Sequence, residues 1–168
     1  MEALTIATSN VKAGDKVLDI AGGTGDLARA FAMKVGATGQ VVLSDINAAM
    51  LSEGRKNLIN KGVSGVQFVQ LSGEQIPFAD NTFDCVSIAF GLRNVTDKDQ
   101  CIGEMYRVLK PGGCLLILEF SKTDIAYWKN LRFLSFNVMP QLGKIIANDE
   151  QSYQYLAESI RNTLTKKH

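Results

Sequence analysis

Histidine is almost absent from these 168 residues: there is one, and it is the last, His168. An imidazole general base or metal ligand within the fold is thereby excluded. Cysteine is scarce too. Cys85, Cys101 and Cys114 are odd in number and lack paired metal-ligand spacing, so they read as free thiols, and no metal is expected. Neither sign of charge is in excess, with 18 Lys and Arg against 17 Asp and Glu. No broad field exists to attract nucleic acid, which is not an expected partner, and Lys166 and Lys167 read as a solvated tail. No apolar run approaches the roughly 20 residues that span a bilayer. The first residues lack the succession of a secretory signal, so an intracellular chain is expected. The length suits one domain, residues 1–168, with a substantial core.

What is present is organised around residues 17–26, Val-Leu-Asp-Ile-Ala-Gly-Gly-Thr-Gly-Asp. A short apolar strand carries an acid near its end and runs into a glycine turn and a helix start. Gly22, Gly23 and Gly25 tolerate positive φ and would let backbone amides approach a bound molecule. Such a turn alone is weak evidence, because any tight strand-to-helix connection can use one.

The rest of the chain alternates. A first strand is expected at residues 16–20. Asp26 is placed as the cap of a helix with Leu27, Phe31 and Val35 on its apolar stripe, stopped by Gly36 and Gly39. A second strand at residues 40–44 is nearly all apolar, as when both faces of a parallel strand are covered, and ends in Asp45. Asn47 caps a helix with Met50, Leu51 and Leu58 inward, closed by Gly62. A third strand is expected at residues 66–71 and a fourth at 83–90. Asp97 opens a helix with Ile102, Met105 and Leu109 inward. Pro111, Gly112 and Gly113 break it before a fifth strand at residues 114–120. Five strands alternating with helices predict an α/β fold, an open, mostly parallel sheet wrapped on both faces. Beyond Ser121, residues 128–136 are densely apolar, and Asn148 or Asp149 caps a last helix carrying Tyr153, Leu156 and Ile160.

Two cofactors fit the turn. Residues 23–28 satisfy the dinucleotide fingerprint with alanine in last place, and Asp45 lies about 20 residues on, where an acid would bind ribose. That pattern permits NAD. Asp19, however, stands directly before the turn, where a dinucleotide needs no charge. A carboxylate there can hold a cationic amino group while Asp45 takes two ribose hydroxyls, which favours S-adenosylmethionine. The plainer alternatives are a turn cap for Asp19 and a helix cap for Asp45.

The strand, turn and acid resemble the first motifs of class I methyltransferases. Residues 90–97, Phe-Gly-Leu-Arg-Asn-Val-Thr-Asp, look like the segment after strand four in the C-methyltransferases of ubiquinone and menaquinone biosynthesis. Residues 107–113, Arg-Val-Leu-Lys-Pro-Gly-Gly, with 118–121, Leu-Glu-Phe-Ser, are similar to that family's signature, as are residues 147–149 and 152–161. The resemblance implies a Rossmann-like class I methyltransferase sheet and methyl transfer from S-adenosylmethionine to a ring carbon of a polyprenyl quinol. It also implies a cofactor site of Asp19, Gly22, Gly23, Thr24, Gly25, Asp45, Ile46, Ser72, Gly73 and Ala89, with Asp45 on the ribose and Ser72 and Gly73 beside adenine. Ser72 stands where the family carries Asp or Asn, and Ala89 where relatives carry serine.

Arg93 follows strand four and stays protonated, so its expected role is phenolate stabilisation or orientation of a water, with Asn94 as hydrogen-bonding partner. A structural Arg93 that pairs with Asp97 or caps a carbonyl is the alternative. Glu119 either faces the substrate or anchors the loop after strand five. Relative to the family, the chain begins just before strand one and ends before a closing antiparallel strand pair. A cofactor-binding module completed by a partner chain is therefore a second expectation, and a homodimer or biosynthetic complex goes with it. Residues 128–136 read as packing on the sheet or as peripheral membrane contact. The expected location is cytoplasmic, with the inner membrane surface, on the mitochondrial matrix side in a eukaryote, as the alternative.

Overall fold

The computed structural model describes residues 2–119, which fall within the first of two units of the chain, Met1–Glu119. The expectations for residues 120–168, including the Trp128 stretch, the Tyr153 helix and the missing strand pair, lie outside the described residues.

The elements run α1 (Glu2–Thr8), β1 (Lys16–Ile20), α2 (Asp26–Val35), β2 (Gln40–Asp45), α3 (Ala48–Asn60), β3 (Val66–Gln70), β4 (Phe83–Ala89), a 3-10 turn (Leu92–Asn94), α4 (Lys98–Val108) and β5 (Leu109–Leu118). The five strands form one sheet in the order β3-β2-β1-β4-β5, every neighbouring pair parallel. Chain direction out of β1 goes one way to β2, and the later strands add on the other side. The C-terminal ends of β1 and β4 therefore form the switch point at which open parallel sheets leave a crevice.

Alternation along β1 divides the core. Leu18 and Ile20 join Val86, Ile88, Cys101, Met105 and Val108 on the α4 face, whereas Val17 packs with Phe31, Val35, Leu43, Leu58 and Cys85 on the α2 and α3 face. At about 1.5–3 kcal/mol per fully buried large apolar side chain, these two layers give the sheet a firm base for strained turns at its edge.

The caps at Asn47 and Asp97 form as expected: Asn47 Oδ1 accepts from the amides of Ala49 and Met50, and Asp97 Oδ1 from that of Gln100. Asp26 does not cap α2. Gly25, in the left-handed region at φ 82°, holds the cap position, and Asp26 is the first helical residue. The turn needs that positive φ, so the acid moves one place inward, where the helix dipole still favours it. The buried stripe of α2 is Ala28, Phe31 and Val35; Leu27 is half-buried. In α4 the inward residues are Cys101, Met105 and Val108, and the helix ends one residue earlier than expected. Leu109 pairs with Phe83 and Cys114 with Cys85, so Lys110 to Gly113 form an irregularity within β5 and not a break before it. A bulge on a strand at the end of the order accommodates Pro111, which has no amide to donate.

Candidate functional site

The backbone at the switch point is strained. Ala21, just past β1, and Phe90, just past β4, both lie in the left-handed region at φ 53° and 55°. Gly91 follows Phe90 because a Cβ there would sit 2.5 Å from Ala21 Cβ.

The glycine turn is built from below. A Cβ on Gly22 would lie 2.9 Å from Asp19 Oδ2 and 3.0 Å from Leu43 Cγ, and one on Gly25 2.9 Å from Leu43 Cδ1. The sequence suggests glycines that expose amides to a ligand, but the amides of Gly22, Gly23 and Gly25 are engaged within the protein. They donate to Ser44 O at 2.9 Å, Asp45 Oδ2 at 3.1 Å and Gly22 O at 2.9 Å. These glycines let the turn lie flat on β1 and β2.

Asp19 has a polar atom left over among the described residues. It lies opposite Ser87 in the β1–β4 register and is 1% exposed; its Oδ1 accepts from Ser87 Oγ at 2.7 Å. Oδ2 is buried without a hydrogen-bond partner among the described residues. Burial pushes its pKa up to about 7, with the nearby Asp45 charge adding to the rise and the Ser87 bond opposing it. Asp19 lines a cavity of about 310 Å³ together with Ala21, Gly22 and Thr24 on one side and Ala89, Phe90 and Leu118 on the other. Thr5, Asp26 and Leu27 complete the wall. A carboxylate that borders such a space and keeps one buried oxygen without a partner among the described residues suits a cationic amino group.

Asp45 ends β2 beside the turn. Its Oδ2 accepts from Gly23 N and its Oδ1 from Asn47 N at 2.9 Å, which fixes the carboxylate and leaves each oxygen a further lone pair for a hydroxyl. Ile46 follows with 68% of its surface exposed, its carbonyl accepting from Gln70 Nε2 at 3.0 Å. Met50, expected inside, is 39% exposed; its methyl lies over the turn, 3.4 Å from where a Gly23 Cβ would be. Beyond β3, Ser72 Oγ accepts from Glu74 N at 3.2 Å, and Gly73 packs so closely on α4 that a Cβ would be 2.8 Å from Cys101 Sγ. The structure therefore gathers Asp19, Gly22, Thr24 and Ala89 around one cavity, and places Asp45, Ile46, Ser72 and Gly73 at the ends of the next two strands.

Arg93 and Asn94 are not among the described residues that line the cavity. The Arg93 amide and Nη1 donate to Glu119 Oε1 and Oε2, each at 3.2 Å, with the side chains 8% and 17% exposed. Glu119 thus anchors the loop after β4, while Asp97, the expected partner of a structural Arg93, serves as the α4 cap.

Sequence reasoning missed Ser87, Thr5, Phe90 and Leu118. Ser87 had a signal, a hydroxyl between Val86 and Ile88 in an apolar strand; Phe90 and Leu118 lay in the segments that carry the family resemblance, and Thr5 had none. It also missed the role of Arg107. This residue donates to Glu104 Oε1 and Oε2, to Asp80 Oδ1, and to the carbonyls of Ile76 and Phe78, all at 2.7–2.8 Å. Hydrogen bonding from Arg107 holds the Glu104 carboxyl down at about 2. The segment between β3 and β4 is thereby clamped to α4.

The model of the ubiE/COQ5 methyltransferase family matches residues 2–167. The chain belongs to that family. Members of known designation include the ubiquinone/menaquinone biosynthesis C-methyltransferases UbiE of Pseudomonas aeruginosa and Haemophilus ducreyi, each 60% identical over 159 residues, or 94% of this chain. That of Pseudoalteromonas translucida is 57% identical over the same length. The chain spans 62%, 61% and 63% of these relatives in turn. Among solved structures, a SAM dependent methyltransferase from Aquifex aeolicus superposes with a TM-score of 0.68 at 25% identity, covering 73% of this chain and 65% of that one. A putative methyltransferase from Bacillus halodurans does so at 0.67 and 29% identity, covering 81% and 59%. The parallel sheet is therefore the Rossmann-like sheet of class I methyltransferases, as the ubiE/COQ5 resemblance implied.

Proposed function

We propose that the chain binds S-adenosylmethionine at the ends of β1, β2 and β3, and carries the catalytic part of a C-methyltransferase acting on a polyprenyl benzoquinol or demethylmenaquinol. One observation carries the cofactor assignment: Asp19, which lines the cavity beside the turn, keeps a buried carboxylate oxygen without a hydrogen-bond partner among the described residues. A cationic α-amino group satisfies that oxygen and keeps the carboxylate ionised. Asp45, held by two backbone amides, receives the ribose hydroxyls. Ile46, Ser72 and Gly73 flank the base, while Thr24 and Ala89 border the amino-acid end. NAD fits less well, because its pyrophosphate calls for amide donors and three of the turn's amides are already engaged.

When bound, the cofactor supplies an electrophilic methyl on a sulfonium. The chain's own contribution is alignment, together with stabilisation of negative charge on a phenol next to the accepting carbon. The guanidinium of Arg93, paired with Glu119 in the loop leaving β4, is the group that would stabilise the phenolate or orient a proton-accepting water, with Asn94 beside it. No described helix is long and apolar enough to cross a membrane. We read a cytoplasmic chain; a polyprenyl tail on the substrate supports peripheral contact with a membrane surface, and a homodimer or a biosynthetic complex is the assembly that goes with it.

The test is incubation with methyl-labelled S-adenosylmethionine and a short-tailed demethylmenaquinol or benzoquinol, with mass spectrometry of the ring. Label on a ring carbon is expected, and Arg93→Ala is expected to slow turnover with cofactor affinity retained. Unchanged turnover in Arg93→Ala would remove its catalytic role. Binding of S-adenosylmethionine without turnover on any quinol would reduce the chain to a cofactor-holding module.

A further inference from the structure

Helix α3 carries a glycine in its interior, Gly54, which is buried. Glycine inside a helix is unfavourable relative to alanine, so its presence needs a physical reason. A Cβ on Gly54 would collide with the carbonyl oxygen of Gly23 and lie 3.5 Å from the carbonyl carbon of Thr24. The backbone of α3 thus touches the backbone of the glycine turn.

That contact belongs to a stripe. Met50, Gly54, Asn57 and Leu58 share one face of α3, at spacings of three and four, and Lys61, the cap residue after the helix, extends the line. Each meets a successive part of the turn. Met50 covers Gly23, Gly54 meets the Gly23 carbonyl, and Asn57 Nδ2 is 3.4 Å from Thr24 O. Leu58 would be 3.2 Å from a Gly25 Cβ, and Lys61 Nζ pairs with Asp26 Oδ1 at 2.9 Å. The start of α3 is tied to the same place from the other side. Asn47, its cap, donates its amide to Asp45, whose other oxygen accepts from Gly23 N.

We infer that Gly54 is a positioning residue: its missing side chain lets α3 serve as a rigid back-plate that fixes the glycine turn against Asp45, and so sets the separation between the amino-acid and ribose ends of the ligand site. Gly103, in α4, is the natural control. It too lies within a helix, but a Cβ there meets nothing within 4 Å.

For cofactor binding the proposal rests on the function proposed above, so the experiment has two readouts on the full chain. Amide NMR follows the signals of Gly23, Thr24 and Gly25, and calorimetry follows S-adenosylmethionine. Gly54→Ala is expected to shift the turn amides and weaken binding by about tenfold or more, a change of about 1.4 kcal/mol. Gly103→Ala is expected to change neither. Unmoved turn amides in Gly54→Ala, or an affinity within about twofold of the parent, a difference too small for a displaced turn, would overturn the proposal. If the parent does not bind the cofactor, the functional assignment fails, while the amide signals still decide the positioning role. Should Gly54→Ala not fold, Lys61→Met takes its place: shifted turn amides support the back-plate, and unshifted ones overturn it.

Discussion

Two regions at opposite ends of the parallel strands, Arg107 beside the start of β4 and Asp19 near the end of β1, treat their polar groups in opposite ways. Around Arg107, five hydrogen bonds at 2.7–2.8 Å join one guanidinium to two acids and two carbonyls. Around Asp19, a buried carboxylate oxygen has no hydrogen-bond partner among the described residues, and the flanking Ala21 and Phe90 are held in left-handed conformations. The first region spends its charges on its own chain. The second holds one back beside a cavity. Unsatisfied burial and backbone strain are costs that folding alone does not reward, and they gather where a ligand would relieve them. The contrast assigns Arg107 to the scaffold and Asp19 to the site.

The largest effect is expected at Asp19. Its pKa is raised from 3.8 to about 7, so between those values the folded chain keeps a proton that the unfolded chain has released. Stability therefore falls as pH rises through that window and levels off above it; integrated, the loss is on the order of 4 kcal/mol. Asp19→Asn should remove this slope, visible as a higher unfolding midpoint at about pH 8 in the absence of ligand. The same substitution should weaken S-adenosylmethionine by roughly a hundredfold, a loss of about 2.7 kcal/mol. If Asp19→Asn lowers stability at the higher pH, the carboxylate is a scaffold group and the contrast collapses.

Gly25→Ala comes next. Overpacking against Leu43 and Leu58 at a positive φ should cost about 1–3 kcal/mol of stability, measured by denaturant unfolding. At Arg107 the outcome should be purely structural. Arg107→Lys loses the planar fork that serves Glu104 and Asp80 together, so the unfolding midpoint should fall while cofactor affinity, measured on folded protein, stays near that of the parent. A large loss of affinity would move Arg107 from scaffold to site. The smallest effect is expected at Gly103→Ala, a gain of about 0.5–1 kcal/mol from helix propensity alone.

What could be read from the sequence was local. β1 was placed to the residue, and the caps at Asn47 and Asp97 were correct, because a strand followed by glycines or an Asx before an apolar period is a short-range signal. Asp19 and Asp45 could be singled out because an acid at the end of an apolar strand stands out. The errors were made where distant parts meet. Asp26 reads as a cap from its neighbours alone, but Gly25 takes that place in the left-handed region, packed against Leu43 and Leu58 from distant elements. Gly22 was credited with exposing an amide, when its smallness serves contact with Asp19 and Leu43. Arg93 meets Glu119 26 residues on, a pairing made by the β4–β5 register and by nothing in the local sequence. The start of β5 was missed because Lys110 to Gly113 resemble a break, and only pairing of Leu109 with Phe83 carries the strand through them.

The most direct test is calorimetric titration of S-adenosylmethionine into the parent chain and Asp19→Asn at about pH 6 and about pH 8, on either side of the raised carboxyl. The parent should bind more tightly at the higher pH, because the cationic amino group needs Asp19 ionised, and Asp19→Asn should bind weakly at both. Equal affinity of the two proteins at the higher pH would contradict the assignment of Asp19 to the ligand site.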